Sequence, residues 1–225
     1  MRSWILQRAE QVAGTLRVPG DKSISHRALL LGALADGTTE IHGFLPSEDC
    51  RATLAALRAL GVQVCGEPEG VIRVLGRGAD ALREPETVLD AGNSGTCLRL
   101  LAGVLAACPF LSVLSGDASL RRRPMRRIVE PLSAMGATLD GRAGGQYPPL
   151  VIRGRALRGI SWESPVASAQ VKSAILLAGI QAAGETSVTE PVLSRDHTER
   201  MLAAFGVGLR REGTRVTLPG GARLQ

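Results

Sequence analysis

The stretch VPGDKSISHRALLLGALADG, residues 18–37, sets a Gly-Asp-Lys-Ser turn against a helical run that is apolar on nearly every face. Leu29, Leu30, Leu31, Ala33 and Leu34 leave no polar stripe, and a helix of that kind has to be enclosed by protein. The pattern returns twice. DAGNSGTCLRLLAGVLAACPFLSVLSG begins at Asp90 and PVASAQVKSAILLAGIQAAGETSVTEP at Pro165, each with a small polar turn followed by an apolar helix. Internal repetition of this sort decides the architecture before any single element does.

A second segment follows each copy: EDCRATLAALRALGVQV, RRPMRRIVEPLSAMGATL and RDHTERMLAAFGVGL, closed by Gly61, Gly136 and Gly206 at offsets of 75 and 70 residues. These helices are amphipathic. Met125, Ile128, Val129, Leu132 and Met135 share one face at helical spacing, with Arg126, Arg127 and Glu130 opposite, and Pro131 marks a kink or break. Short strands follow in register, TTEIHG, FLSVLSG and TSVTEP after the first helix, then GVIRVLG, PLVIRG and TRVTLPG at the end of each copy. No unit can bury its own central helix. Three units around a shared axis, helices inside and sheets outside, close the structure as an α/β (α+β) fold: an inside-out α/β barrel of three βαβαββ repeats, at about 18–76, 86–154 and 159–219. Gly32, Gly103 and Gly179 recur inside the central helices, where each costs about 1 kcal/mol of propensity, so close packing is the expected reason for them.

Composition narrows the function. A chain of 225 residues with 44% hydrophobic content has enough material for a full core, and no window of about 18 uninterrupted apolar residues predicts a membrane span. MRSWILQRAEQ is charged too early for a signal peptide, so a cytoplasmic protein without a membrane partner is expected. Cys50, Cys65, Cys97 and Cys108 are scattered and only three histidines accompany them, so neither a metal site nor a disulfide framework is signalled, and no cofactor is expected. The formal charge is +6, with 25 arginines and two lysines, but aromatic residues make up 3%, too few to stack bases; small anionic substrates fit better than nucleic acid.

The turns before the central helices carry Asp21, Lys22, Ser23 and Ser25; Asn93, Ser94, Gly95 and Thr96; Ser168, Ala169 and Gln170. Taken singly, each is explained by plain helix capping. Three in equivalent positions of one repeat put three helix N-termini on one end of the molecule, where dipoles and free N–H groups favour an anion. Lys22, Arg27, Arg121, Arg122, Arg123 and Arg195 supply charge nearby, and Pro124 restricts Arg123, which suits a guanidinium meant for bidentate binding.

At these residues the chain resembles the 5-enolpyruvylshikimate-3-phosphate (EPSP) synthase family, the enolpyruvyl transferases of the shikimate pathway. PGDKSISHR, GNSGT, GDASL…RPM, SAQVKSAILLAG and RDHTE stand in the order and spacing of that family's N-terminal half, and the likeness covers essentially the whole chain. The family fold is two similar globules of three such units that clamp the substrates. The resemblance therefore implies that residues 1–17 hold a first strand that packs on the second globule, that 18–225 form the N-terminal substrate-binding domain, and that the C-terminal domain is absent from this excised, truncated or split piece. It implies that Lys22, Ser23, Arg27, Ser168, Ala169, Gln170 and Arg195 bind shikimate 3-phosphate, and that Lys22, Asn93, Gly95, Arg123 and Gln170 bind phosphoenolpyruvate. Lys22 is shared between the substrates and is the one catalytic candidate. The acid/base carboxylates belong to the second globule, so the chain alone is expected to bind weakly and turn over nothing, with a complementary C-terminal half as its partner. Gly95 leaves space that an alanine would fill against glyphosate, so the complete enzyme is expected to be glyphosate-sensitive.

Three alternatives stay open on sequence. The sister transferase acting on UDP-N-acetylglucosamine shares the fold, but typically has Lys-Asn where Lys22-Ser23 stand and a loop cysteine near RRRPM, and no cysteine follows Cys108. A noncatalytic basic nucleic-acid-binding module centred on Arg121 to Arg127 is the second, and a repeat-built scaffold the third.

Overall fold

The computed structural model describes residues 3–5, 7–67 and 70–225. The first repeat runs α1 (Lys22–Leu34), β1 (Asp36–Ile41), α2 (Glu48–Ala59), β2 (Gln63–Cys65) and β3 (Ile72–Arg77). The second runs β4 (Leu89–Asp90), α3 (Gly95–Leu105), β5 (Leu111–Ser115), α4 (Arg126–Ala134), β6 (Thr138–Gly141), the single turn α5 (Arg142–Gly145) and β7 (Tyr147–Arg153). The third runs β8 (Ser161–Glu163), α6 (Ala169–Gly179), β9 (Thr186–Thr189), α7 (His197–Ala204), β10 (Arg210–Glu212) and β11 (Arg215–Leu218).

Each repeat makes its own sheet, in the orders β1-β3-β2, β4-β5-β7-β6 and β8-β9-β11-β10. β4 pairs with β5 and β8 with β9 in parallel, while the other pairings are antiparallel. Among the described residues the first sheet has no leading strand; its place beside β1 holds one parallel bridge, Ala35 to Leu224, with the Asp36 N–H donating to the Leu224 carbonyl at 2.9 Å. Residues 3–5 and 7–19 lie exposed without a strand, Trp4 and Leu16 among them, since an extended segment pairs only where a neighbour accepts its N–H groups. Met1, Arg2 and Leu6 of the expected first-strand segment lie outside the described residues.

The three central helices are enclosed as their composition demands, with Leu29 to Leu31, Leu98 to Ala102 apart from the half-buried Arg99, and Ala174 to Ala178 at or near zero exposure. The recurrent glycines are contact points. A Cβ on Gly103 would stand 2.8 Å from the Ala174 Cα and 2.3 Å from its carbonyl oxygen, so α3 and α6 pack backbone to backbone there. Gly32 and Gly179 instead receive Thr39 and Thr186 of the strands that follow them.

The outer helices bury one face, Ile128, Val129 and Leu132 in α4, and all three end in the same way. Gly61, Gly136 and Gly206 have φ of 86°, 114° and 87°, a left-handed conformation that costs a residue with a side chain about 1–2 kcal/mol. That turn lets Val62, Ala137 and Val207 donate back to Leu57, Leu132 and Leu202, satisfying carbonyls the helix leaves open. Pro131 sits inside α4.

Gly103→Ala should lower stability by about 1–3 kcal/mol despite the better helix propensity of alanine, because the obstructing atoms are backbone and cannot swing away. Gly208→Ala, with nothing within 4 Å of the added atom, is the neutral control. Urea denaturation of both variants measures the difference.

Candidate functional site

The opening turns of the central helices are first of all caps. Asp21 accepts from the Ile24 N–H at 2.8 Å, Ser94 from Cys97 at 3.1 Å and Ser168 from Val171 at 3.4 Å. Their common placement shows at both ends of the helices. Leu34, Ala107 and Ile180, at the C-terminal ends of α1, α3 and α6, line one cavity together. At the opposite end the N-terminal halves are linked: Arg27 of α1 donates to Ser173 of α6 at 2.6 Å, Gln170 of α6 bonds Thr96 and Arg99 of α3 at 2.8 and 2.6 Å, and Arg195, just ahead of α7, donates to Ser23 Oγ at 3.3 Å. The expected convergence of three helix mouths is therefore met.

In the first repeat Lys22 is exposed, and its ammonium pairs with Asp49 at 2.7 Å, a carboxylate at the start of α2. Arg27 is buried. Its Nε donates to Thr198 Oγ1 at 2.6 Å, one Nη to Ser173 Oγ at 2.6 Å and the other to the Ser23 carbonyl at 2.8 Å, so it stitches the first repeat to the third. Burial pulls its pKa down to about 10, with Glu199 opposing, and it stays charged at neutral pH. Three of its five N–H groups are thus spent inside the protein.

The second repeat holds Arg123 by its neighbours. Arg123 donates to Asn93 Oδ1, and Asn93 Nδ2 donates to Asp117 at 2.7 Å. That bond, with the Leu120 N–H, keeps the Asp117 carboxyl below the usual range. The backbone of Arg123 is extended, as a residue before proline has to be. Gly95 is buried, and a Cβ there would lie 2.7 Å from Arg99 Nη1 and 3.3 Å from Arg123 Nη1.

In the third repeat Ser168, Ala169, Gln170 and Arg195 line one groove with Ala167, Leu193 and Ser194. Beneath it Lys172, 3% exposed, pairs with Glu190 at 2.8 Å and Glu199 at 2.6 Å. Glu190 also accepts from the Ser168 N–H and from Ser194, so one carboxylate ties the two walls of the groove. Burial alone would raise the Glu190 carboxyl; the bonds from Lys172 and Ser194 outweigh it and hold it low. Asp49, Asp117, Arg99, Lys172 and Glu190 were not singled out from the sequence as site residues. The available signal was one interior cation per apolar helix, Arg27, Arg99 and Lys172, each within two turns of its cap.

A buried polar link runs under the first two turns: His26 Nδ1 lies 2.7 Å from Thr53 Oγ1, and the same hydroxyl bonds the Cys97 thiol. Burial lowers the His26 pKa to about 4, against Asp49 and with Lys22 and Arg27, and its Nε2 has no partner. Among the described residues no cluster of His, Cys, Asp and Glu could hold a metal ion, and no helix is long and apolar enough to cross a membrane.

A family model described as EPSP synthase (3-phosphoshikimate 1-carboxyvinyltransferase) matches residues 6–225. The chain is 58% identical over 221 residues to the 3-phosphoshikimate 1-carboxyvinyltransferase of Brevibacillus brevis, covering 98% of this chain and 51% of that protein. It is 54% identical over 217 residues to the enzyme of that name from Bacillus subtilis, covering 96% and 50%. A solved EPSP synthase from Acinetobacter baumannii superposes with a TM-score of 0.91 at 52% identity, over 94% of this chain and 48% of that one. The chain spans about half the length of the curated relatives it matches.

Two outcomes follow from the buried charges. The folded pKa of His26 lies below its unfolded value, so the unfolded state binds the extra proton. Stability is complete above about pH 6.5 and falls as the pH drops toward about 4, by about 3 kcal/mol in all; His26→Gln should flatten that slope in denaturant titrations. Lys172→Met strands two carboxylates and should cost about 3–5 kcal/mol, whereas Lys22→Met, at an exposed pair, should cost about 0–1 kcal/mol by the same measurement.

Proposed function

The chain belongs to the EPSP synthase family, and from that premise we propose that it forms the substrate-binding half of a shikimate-pathway enolpyruvyl transferase. In this reading shikimate 3-phosphate lies in the groove of Ser168, Ala169, Gln170 and Arg195 and reaches across to Ser23 and Arg27. Phosphoenolpyruvate lies against Lys22, Gly95, Arg123 and Gln170, with Asn93 holding Arg123. The observation that carries it is the linkage of the three helix mouths, α1 to α6 through Arg27 and Ser173 and α3 to α6 through Thr96, Arg99 and Gln170, with Arg195 ahead of α7 reaching Ser23.

The chemistry joins the 5-hydroxyl of shikimate 3-phosphate, as it gives up its proton, to the central carbon of phosphoenolpyruvate, protonates the methylene to a methyl group, and then removes a proton from that methyl as the C–O bond to phosphate breaks and phosphate leaves. Two anionic substrates repel each other, and Lys22 is the mobile charge placed to stand between them. It is held meanwhile by Asp49, so an arriving phosphate competes with one carboxylate for one ammonium. Arg123, fixed by Asn93, needs no reorganisation as charge develops on the departing phosphate. Glu190 and Glu199 lie under the groove, but Lys172 between them offsets the negative field they would otherwise turn on the ligand. The proton-transferring carboxylates come, on this reading, from a complementary C-terminal half.

Calorimetric titration of the purified chain with shikimate 3-phosphate tests this. Saturable binding is expected, weakened about 10–100-fold by Arg195→Ala, the loss of one charge-assisted hydrogen bond. Phosphate release is expected only after the C-terminal half is added. Binding that Arg195→Ala leaves unchanged would overturn the assignment of the groove.

A further inference from the structure

Arg99 is the one charged residue of α3, and its guanidinium is committed in several directions. Nη1 donates to Gln170 Oε1 at 2.6 Å and lies 3.5 Å from the Gly95 carbonyl oxygen, while Nη2 donates to the Pro124 carbonyl at 3.1 Å. It therefore touches the turn that opens α3, the residue after Arg123 and the helix mouth of the third repeat. Gln170 is held at its other end too, since Nε2 donates to Thr96 Oγ1 at 2.8 Å. Thr96 and Arg99 stand three residues apart on one face of α3, so a single helix grips both atoms of the carboxamide.

That grip has a polarity. A free glutamine amide flips, and turns an acceptor toward a ligand as readily as a donor. Here a flip would drive the –NH2 group against a guanidinium, which has no acceptor to offer it; the Thr96 hydroxyl, able to donate or accept, follows whichever atom Arg99 selects. The carboxamide is thus locked with its remaining Nε2–H, the donor, available to an anion. Gly95 belongs to the same device. An added Cβ at 2.7 Å from Arg99 Nη1 meets the end of a flexible side chain, so the arginine moves rather than the helix, and Gln170 is released.

We propose that Arg99 is the positioning residue of Gln170, fixing its carboxamide so that an N–H faces the anionic ligand, and that residue 95 is a glycine because Arg99 lies over it. The ligand named here, phosphoenolpyruvate, rests on the function proposed above; the lock on the carboxamide does not.

The test reads the side-chain amide of Gln170 by NMR in the 15N-labelled chain, the signal being identified by its loss in Gln170→Glu. In the unsubstituted chain its heteronuclear NOE should match that of the backbone. In Arg99→Met it should fall to the value of an exposed glutamine such as Gln11, and in Arg99→Lys it should lie between. Gly95→Ala, which keeps the arginine, should also loosen it. Phosphoenolpyruvate is then titrated in the presence of shikimate 3-phosphate. Arg99→Met and Gln170→Ala should each weaken it about 10-fold or more, and the double variant should lose no more than either alone, to within about twofold. An amide that stays ordered in Arg99→Met, or losses that multiply in the double variant, would overturn the positioning role and leave the proposed function standing. A chain with an ordered, Arg99-dependent amide that takes up no phosphoenolpyruvate would refute the ligand and keep the lock.

Discussion

The structure depends on one constraint: α1, α3 and α6 have no face fit for water. A solvated apolar helix forfeits roughly 1.5–3 kcal/mol for each large side chain left exposed, so the three have to be buried by one another and by their sheets. Once they share an axis, the rest of the arrangement is forced. Helices of equivalent repeats run in the same direction, their C-terminal ends gather around the cavity of Leu34, Ala107 and Ile180, and their N-terminal ends gather at the opposite pole. Three sets of N–H groups then face a common region, and the positive ends of three helix dipoles add there. On the proposed function, anion binding is a by-product of how the core is closed.

Closing the core this way leaves little room for side chains at the helix mouths, and the cations placed there are used to join the repeats. Arg27 crosses from the first repeat to Ser173 and Thr198 of the third. Arg99 crosses from the second to Gln170 of the third. Lys172 stays within its own repeat, between Glu190 and Glu199, and holds together the two loops that form the groove. Each buried charge is desolvated and tolerable only because its partners are close and most of its hydrogen-bonding groups face them. The result is a rigid floor, on which Lys22 and Arg195 remain exposed.

The repeat, its central helices and the glycines that end the outer helices were legible in the sequence because they rest on period and backbone geometry. Gly61, Gly136 and Gly206 mark three identical helix ends, and each has the positive φ such an end needs. The side-chain pairings were not legible. Lys22 with Asp49, Asn93 with Asp117 and Arg99 with Gln170 are 27, 24 and 71 residues apart and obey no period, the first two being set by packing within a repeat and the third by the packing of the second repeat on the third. Gly95 shows the limit most clearly, for nothing in the sequence says that Arg99 and Arg123 lie beside it. The first sheet was also read too regularly, since pseudo-symmetry predicts a leading strand where, among the described residues, the bridge of Leu224 to Ala35 stands instead.

The contrast between lysine and arginine in this site follows from the same division between floor and surface. A guanidinium is planar and can satisfy several fixed partners at once, which suits Arg27 and Arg99, whose protons bond hydroxyls, an amide and main-chain carbonyls in set directions. An ammonium on a flexible stem is a poor rivet but a good movable charge. In a chain with 25 arginines, the exposed position between helix mouths is one of only two lysines. Its partner Asp49 makes an exposed contact of small net value, about 0–1 kcal/mol, so on the proposed function little would be lost if the ammonium turned toward a doubly charged phosphate. An arginine wedged at that position by several bonds would have to break all of them to do the same.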